Sequence, residues 1–161
     1  NITSSTIANN HATGNGGGVY NIETSDKIST VNLKSTIIAK NSAANGGVDI
    51  HKGLNTQKFQ SQGFNLIGVV DDAVVFTAIA NDQVGTSDSP RDPLFVDPDG
   101  PDNDPNTYED NDYSLQEDSP AIDSGSCTDM SGNTITHDQL GNNRQVRESC
   151  DIGALERQLD K

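Results

Sequence analysis

Asn1-Ile2-Thr3-Ser4-Ser5-Thr6-Ile7-Ala8-Asn9-Asn10-His11-Ala12 aligns with Asn32-Leu33-Lys34-Ser35-Thr36-Ile37-Ile38-Ala39-Lys40-Asn41-Ser42-Ala43 at an offset of 31 residues. A little further on, Gly17-Gly18-Val19-Tyr20-Asn21 aligns with Gly46-Gly47-Val48-Asp49-Ile50 at an offset of 29, which reads as a two-residue insertion in one copy. A period of roughly 20 to 50 residues is the mark of a stacked repeat. Each copy reads as short strand, Asn/Ala/Gly-rich turn, short strand, with no helix between. Such a unit cannot bury its apolar side alone and must stack on a neighbour. The expectation is an all-β solenoid.

Working outward, residues 2–7 and 31–38 read as first strands, and residues 17–22 and 48–50 as second strands. The pairs Asn9-Asn10 and Lys40-Asn41 fall at corners, because Asn tolerates left-handed backbone and its amide can bond the same amide one unit away. Asn10 and Asn41 would begin such a ladder. The Gly-rich runs at residues 14–18 and 45–47 suit tight turns or close backbone approach. A third unit follows in Gly63-Phe64-Asn65-Leu66-Ile67-Gly68-Val69-Val70 and Ala73-Val74-Val75-Phe76, with Asp71-Asp72 as the turn between them. From Asn81 the chain becomes loop-like, proline-bearing and acidic. A solenoid needs its terminal edge covered, so residues 1–80 are read as about three coils. Residues 81–161 are read as an irregular C-terminal cap of the same domain.

Composition agrees with a narrow core. Hydrophobic content is 31% and aromatic content 4%, low for an ordinary globular interior but sufficient for stacked rows of small β-branched side chains. The net charge of −14 argues against nucleic acid and anionic membrane surfaces, since phosphate neutralisation requires Lys and Arg. Divalent cations are the natural partners of such a charge; solubility alone is the other reading. No apolar run of about 18 residues is present to insert into a membrane. Cys127 and Cys150, 23 residues apart, suggest one disulfide in a chain of secreted character, with two buried free thiols as the alternative. The sequence opens within the repeat at Asn1, which reads as a processed precursor or a piece of a longer solenoid.

Several motifs together resemble a known family. The pattern Ser-Thr-Ile followed by Asn and then Gly-Gly-Val-Tyr-Asn resembles the right-handed parallel β-helix of pectate-lyase-like proteins. Gly63-Phe64-Asn65-Leu66-Ile67-Gly68, Asp92-Pro93-Leu94-Phe95-Val96-Asp97-Pro98, Asp112-Tyr113-Ser114-Leu115 and Ser119-Pro120-Ala121-Ile122-Asp123-Ser124-Gly125 extend the likeness. Asp138-Gln139-Leu140-Gly141 with Arg144, and Cys150-Asp151-Ile152-Gly153-Ala154-Leu155-Glu156, complete it. In this order they look like the C-terminal end of large secreted bacterial β-helix proteins of the choice-of-anchor Q type. The resemblance covers nearly the whole chain. It implies an exported, cell-surface protein but no particular activity.

Candidate chemistry is sparse. Asp97, Asp99, Asp102, Asp104, Glu109, Asp110 and Asp112 lie within 16 residues. Alternating acids with Gly and Asn between them could wrap a Ca²⁺ ion, which takes six to eight oxygens; a solvated acidic loop is the competing reading. Asp123 and Asp151 each adjoin an Ile and could cap a turn by accepting N–H bonds. Arg144 and Arg147 could pair with Asp138, Asp151 or Glu156 to hold the cap together. A β-helix lyase would use such an arginine as a base, beside Ca²⁺-binding acids on one lateral face. His11, His51 and His137 are scattered, without a paired acid or nucleophile. Asp71-Asp72, adjacent on a turn, lack the opposed 5–9 Å geometry of a glycosidase pair. No catalytic residues are therefore assigned. The leading expectation is a non-catalytic extracellular structural or adhesive module, forming a homo-oligomer or filament by end stacking. A polysaccharide lyase or glycosidase and a carbohydrate-binding module are the alternatives.

Overall fold

The computed structural model describes residues 1–22, 28–53, 58–70, 76–104, 107 and 110–158. The Asp71-Asp72 turn, residues 73–75 and Glu109 lie outside these described residues. Among the described residues the protein is all-β, with no helix. The first unit contributes β1 (Ile2–Thr3), β2 (Thr6–Ala8), β3 (His11–Ala12) and β4 (Val19–Asn21). Four strands in the second unit answer them: β5 (Thr30–Lys34), β6 (Ile37–Ala39), β7 (Ser42–Ala43) and β8 (Ile50–Lys52). Then come β9 (Lys58–Ser61), β10 (Leu66–Ile67), β11 (Phe76–Thr77) and β12 (Gln83–Val84). All pairings among these twelve strands are parallel, in the orders β1-β5-β9-β11, β2-β6-β10-β12, β3-β7 and β4-β8.

The single strands read at residues 2–7 and 31–38 are each broken in two. Ser4 (φ 45°) and Ser35 (φ 48°) adopt left-handed backbone and turn the chain, and Phe64 (φ 62°) does the same in the third unit. Hydroxyls support these bends. Ser5 Oγ donates to the Thr3 carbonyl at 2.8 Å, and Thr36 Oγ1 to the Lys34 carbonyl at 2.9 Å. Asn9 (φ 55°) and Lys40 (φ 62°) make the next corner.

The expected two-residue insertion is absent. Ile2 faces Leu33, Thr6 faces Ile37, His11 faces Ser42 and Val19 faces Ile50, so the offset of 31 runs through the whole unit. Gly17-Gly18-Val19 lies beside Val48-Asp49-Ile50, held by Gly17 N–H to the Gly47 carbonyl (3.1 Å) and Gly18 N–H to the Val48 carbonyl (3.2 Å). A shift of two leaves the side-chain alternation of a strand unchanged. The Gly-Gly-Val identity therefore misled the alignment without disturbing its pattern. Gly17 is required where it stands, because a Cβ there would run into the carbonyl oxygens of Ser42 and Val48.

Later units shorten. Ile37 faces Leu66 at an offset of 29, and Leu66 faces Gln83 at 17. Parallel stacking thus continues past residue 80, and the stretch read as loop from Asn81 supplies β12.

Residues beyond it include β13 (Phe95–Asp97) and β14 (Asp112–Leu115), an antiparallel pair. This half of the chain packs along a side of the stack. The adjacent residues Ile37 and Ile38 point to opposite faces of β6. Ile38 joins Leu33, Ile50, Phe59 and Ile67 in the interior between the parallel sheets. Ile37, Ala39 and Leu66 pack outward against Phe95, Leu115, Ala121 and Ile152. Backbone bonds reinforce this contact: Gly153 N–H reaches the Ser35 carbonyl at 2.9 Å, and Ala154 N–H reaches Thr6 Oγ1 at 3.1 Å.

Candidate functional site

Polar side chains first serve the stack itself. Asn41 Oδ1 accepts both the N–H and the Nδ2–H of Asn10, at 3.0 and 2.9 Å. Asn41 in turn donates its N–H and Nδ2–H to Asp49 Oδ1, at 3.1 and 2.9 Å. Asp49 Oδ2 accepts Val69 N–H at 2.7 Å. The amide ladder therefore ends on a buried carboxylate. Burial pushes the Asp49 carboxyl up, while the donors from Asn41 and Val69 oppose the rise. A second ladder links the Thr36 N–H to Asn65 Oδ1 (3.2 Å), and the N–H and Nδ2–H of Asn65 to Asp82 Oδ1 (both 3.0 Å).

The C-terminal half has its own buried ionic cluster. Arg144, 1% exposed, donates Nη1–H to the Gly153 carbonyl (2.9 Å) and Nη2–H to the Asp151 carbonyl (2.7 Å). Its Nε lies 3.8 Å from Glu156 Oε2. Asp151 accepts the N–H groups of Asp123 (2.8 Å) and Arg157 (2.7 Å). Glu156 Oε2 accepts Asp151 N–H at 3.0 Å. Burial pushes the Glu156 carboxyl from 4.5 up to about 7; the Asp151 charge adds to the rise, and the Asp151 N–H and Arg144 oppose it. Asp123 pairs at the surface with Arg147 at 2.7 Å. Cys127 and Cys150 are joined in a disulfide with Cα atoms 5.2 Å apart, beside the isolated bridge between Gly125 and Cys150.

A groove runs where the free edge of β2 meets the C-terminal half. One part, of about 390 Å³, is lined by Thr6, Ala8, Asn111, Tyr113, Gln139 and Leu140 among others. A neighbouring part, of about 490 Å³, shares Thr6, Gln139 and Ala154 with it and adds Ser4, Ser5 and His137. Its lining offers hydroxyls, side-chain amides and one aromatic ring, whose edge packs on Phe95 with centroids 5.4 Å apart. Arg144 borders the second part, but two of its nitrogens are committed to carbonyls.

Several carboxylates of the acidic loop accept hydrogen bonds from the fold. Asp99 Oδ1 accepts Asn9 Nδ2–H at 3.1 Å, and Asp102 accepts Asp104 N–H at 2.9 Å and the Thr107 hydroxyl at 2.9–3.0 Å. Asp112 accepts Ser114 N–H at 2.8 Å and faces Asp97 across the β13–β14 pair. Asp110 approaches Gly100. Among the described residues, no three His, Cys, Asp or Glu side chains converge to hold a metal. No step is assigned to a metal here.

The histidines are dispersed. His11 Nδ1 meets Ser42 Oγ at 2.9 Å, His51 tilts against Tyr20 with centroids 5.2 Å apart, and His137 Nδ1 meets Thr136 Oγ1 at 2.9 Å. Sequence reasoning missed Asp49 and undervalued Glu156. A signal existed for Asp49, a lone acid between Gly46-Gly47-Val48 and Ile50. Compared with family models, curated proteins and solved structures, the chain matches none.

Proposed function

We propose that this chain is a non-catalytic extracellular structural or adhesive module, built as a right-handed parallel β-helix of the pectate-lyase-like, choice-of-anchor Q type. The observation that carries the reading is how the buried polar groups are used. Asp49, Asn65, Asp151, Arg144 and Glu156 are all turned onto backbone N–H or C=O groups of their own fold or onto one another. Such groups hold a scaffold. Of the two arginines first considered for a lyase base, Arg144 is buried and Arg147 is paired with Asp123; exposed Arg91 is held by Gln83 Oε1. The disulfide supports an oxidising compartment.

The test incubates the protein with polygalacturonate or alginate plus Ca²⁺ and follows absorbance of unsaturated product. A flat trace is expected, and a rising one replaces this reading with the lyase. Exposure is checked on intact producing cells with an external protease, where cleavage of the chain is expected and full protection sinks the extracellular assignment.

One observation favours carbohydrate binding as a second reading. The groove beside β2 combines Tyr113 with the hydroxyls and amides of Thr6, Asn111 and Gln139, the mix that stacks on and hydrogen-bonds a neutral sugar. A glycan array on the protein and on Tyr113→Ala tests it: retention that the substitution abolishes supports binding, and an empty array removes it.

A further inference from the structure

The free edge of the first unit is chemically unlike the rest of the protein. Among the described residues each of β1, β2, β3 and β4 has one partner, and all four partners lie in the second unit. Their four unpaired edges therefore face the same way, in one register. Natural sheets blunt such edges with lysine, proline or inward charge. Here residues 1–22 contain no Asp, Glu, Lys, Arg or Pro, in a chain of 24 acids and 10 Lys plus Arg. The edge is also apolar where a covering layer would touch it. Ile2, Ile7 and Val19 are half-buried, while their register partners Leu33, Ile38 and Ile50 are 0% exposed.

The ladders add a direction. Asn41 Oδ1 takes the N–H and Nδ2–H of Asn10; Asp49 Oδ1 takes those of Asn41; Asp82 Oδ1 takes those of Asn65. In the first and third of these the acceptor lies in one unit and faces the unit before it. Asn10 Oδ1 is the next acceptor in the series.

We infer that this edge is a docking surface for one more parallel-strand unit: an uncharged polypeptide segment of about thirty residues, apolar opposite Ile2, Ile7 and Val19, with an asparagine whose N–H and Nδ2–H meet Asn10 Oδ1. The inference rests on the stacked-repeat reading. A second copy stacked head to tail is a poorer occupant. It would bring the far edge of the stack, where Asp82 adjoins β12, onto an uncharged edge, and would join two chains of net charge −14.

The experiment compares the full chain with one in which a second copy of residues 1–31, carrying Glu23→Gln, Asp26→Asn and Lys27→Gln within the copy, precedes Asn1. Amide hydrogen exchange is followed strand by strand. In the extended chain the amides of β1 to β4 that point away from the second unit should exchange at least about tenfold more slowly, and the melting temperature should rise. Placing Asp at the added copies of Ile2 and Ile7 should erase both gains. Unchanged exchange in β1 to β4, with β5 and β6 strongly protected, overturns the docking inference and leaves the stack intact. Loss of protection in β5 and β6 themselves overturns the stacked-repeat reading instead. Sedimentation of the unextended chain provides the last arm: a dimer that protects β1 to β4 makes a second copy the occupant and overturns the one assigned here.

Discussion

Glu156 carries the clearest pH signature of any single side chain. Its carboxyl is nearly sealed from solvent and lies close to both Asp151 and Arg144. Burial, with the Asp151 charge behind it, raises it from 4.5 to about 7. Between those two values the folded protein holds a proton that the unfolded chain has released. Stability therefore falls as pH rises through this window, being fully present below 4.5 and lost above 7. Asp151, also raised chiefly by burial, contributes in the same direction. Asp92 and Asp138 run the other way. Burial opposes ionisation at both, but Lys40 and Leu94 hold Asp92 below 3.8, and N–H groups of Glu156, Asn142 and Leu140 hold Asp138 there. Their contribution is present above 3.8 and lost as pH falls below it. Glu156→Gln keeps an acceptor for Asp151 N–H and removes the proton. Unfolding free energies from denaturant titrations at pH 4.5 and 7.5 should then differ less than in the parent, by on the order of 1–2 kcal/mol. An unaltered slope would show that Glu156 is not the group responsible.

At the scale of elements, the unbroken 31-residue register makes Gly17 a demanding position. Its backbone lies so close to the Ser42 and Val48 carbonyls that no Cβ fits. Gly17→Ala should cost about 2–4 kcal/mol, because backbone must move to admit the methyl group. Gly14→Ala, where a Cβ meets nothing within 4 Å, is the control and should stay within about 0.5 kcal/mol. Equal effects on chemical denaturation would mean that the two units do not approach as described. The same region shows what could be read beforehand. Strand identity, the corners at Asn9 and Lys40 and the Asn10–Asn41 contact were legible, because left-handed tolerance and alternation leave local marks. The split at Ser4 and Ser35 was not, since a single serine with φ near 45–48° has no compositional signature. Nor was the register of the glycine runs, where a two-residue shift is invisible to alternation. β12 escaped because Gln83-Val84 is short and flanked by loop residues, and only its parallel neighbour Leu66-Ile67 makes it a strand.

The whole molecule is bound together through Ile37, Ala39 and Leu66, which the sequence marked as apolar without saying which side they faced. Two adjacent isoleucines on one short strand can only mean that both faces are covered. What covers the outer face comes from roughly sixty to one hundred and fifteen residues away in the chain, and no local pattern encodes that distance. Phe95 and Leu115 reach it from β13 and β14, and Ala121 and Ile152 reach it from the segments beyond. A half that merely closed the end of the stack could melt separately. A half sharing a continuous apolar layer with the second and third units cannot, because unfolding either side exposes Ile37 and Leu66. Phe95→Ala opens a cavity in that layer. It should cost about 3–5 kcal/mol and lower a single calorimetric transition, with no second one appearing. The ratio of van't Hoff to calorimetric enthalpy should stay near one in parent and variant alike. Two resolved transitions in the parent, or a Phe95→Ala effect confined to one of them, would mean that the repeated units and the C-terminal half fold on their own and only touch.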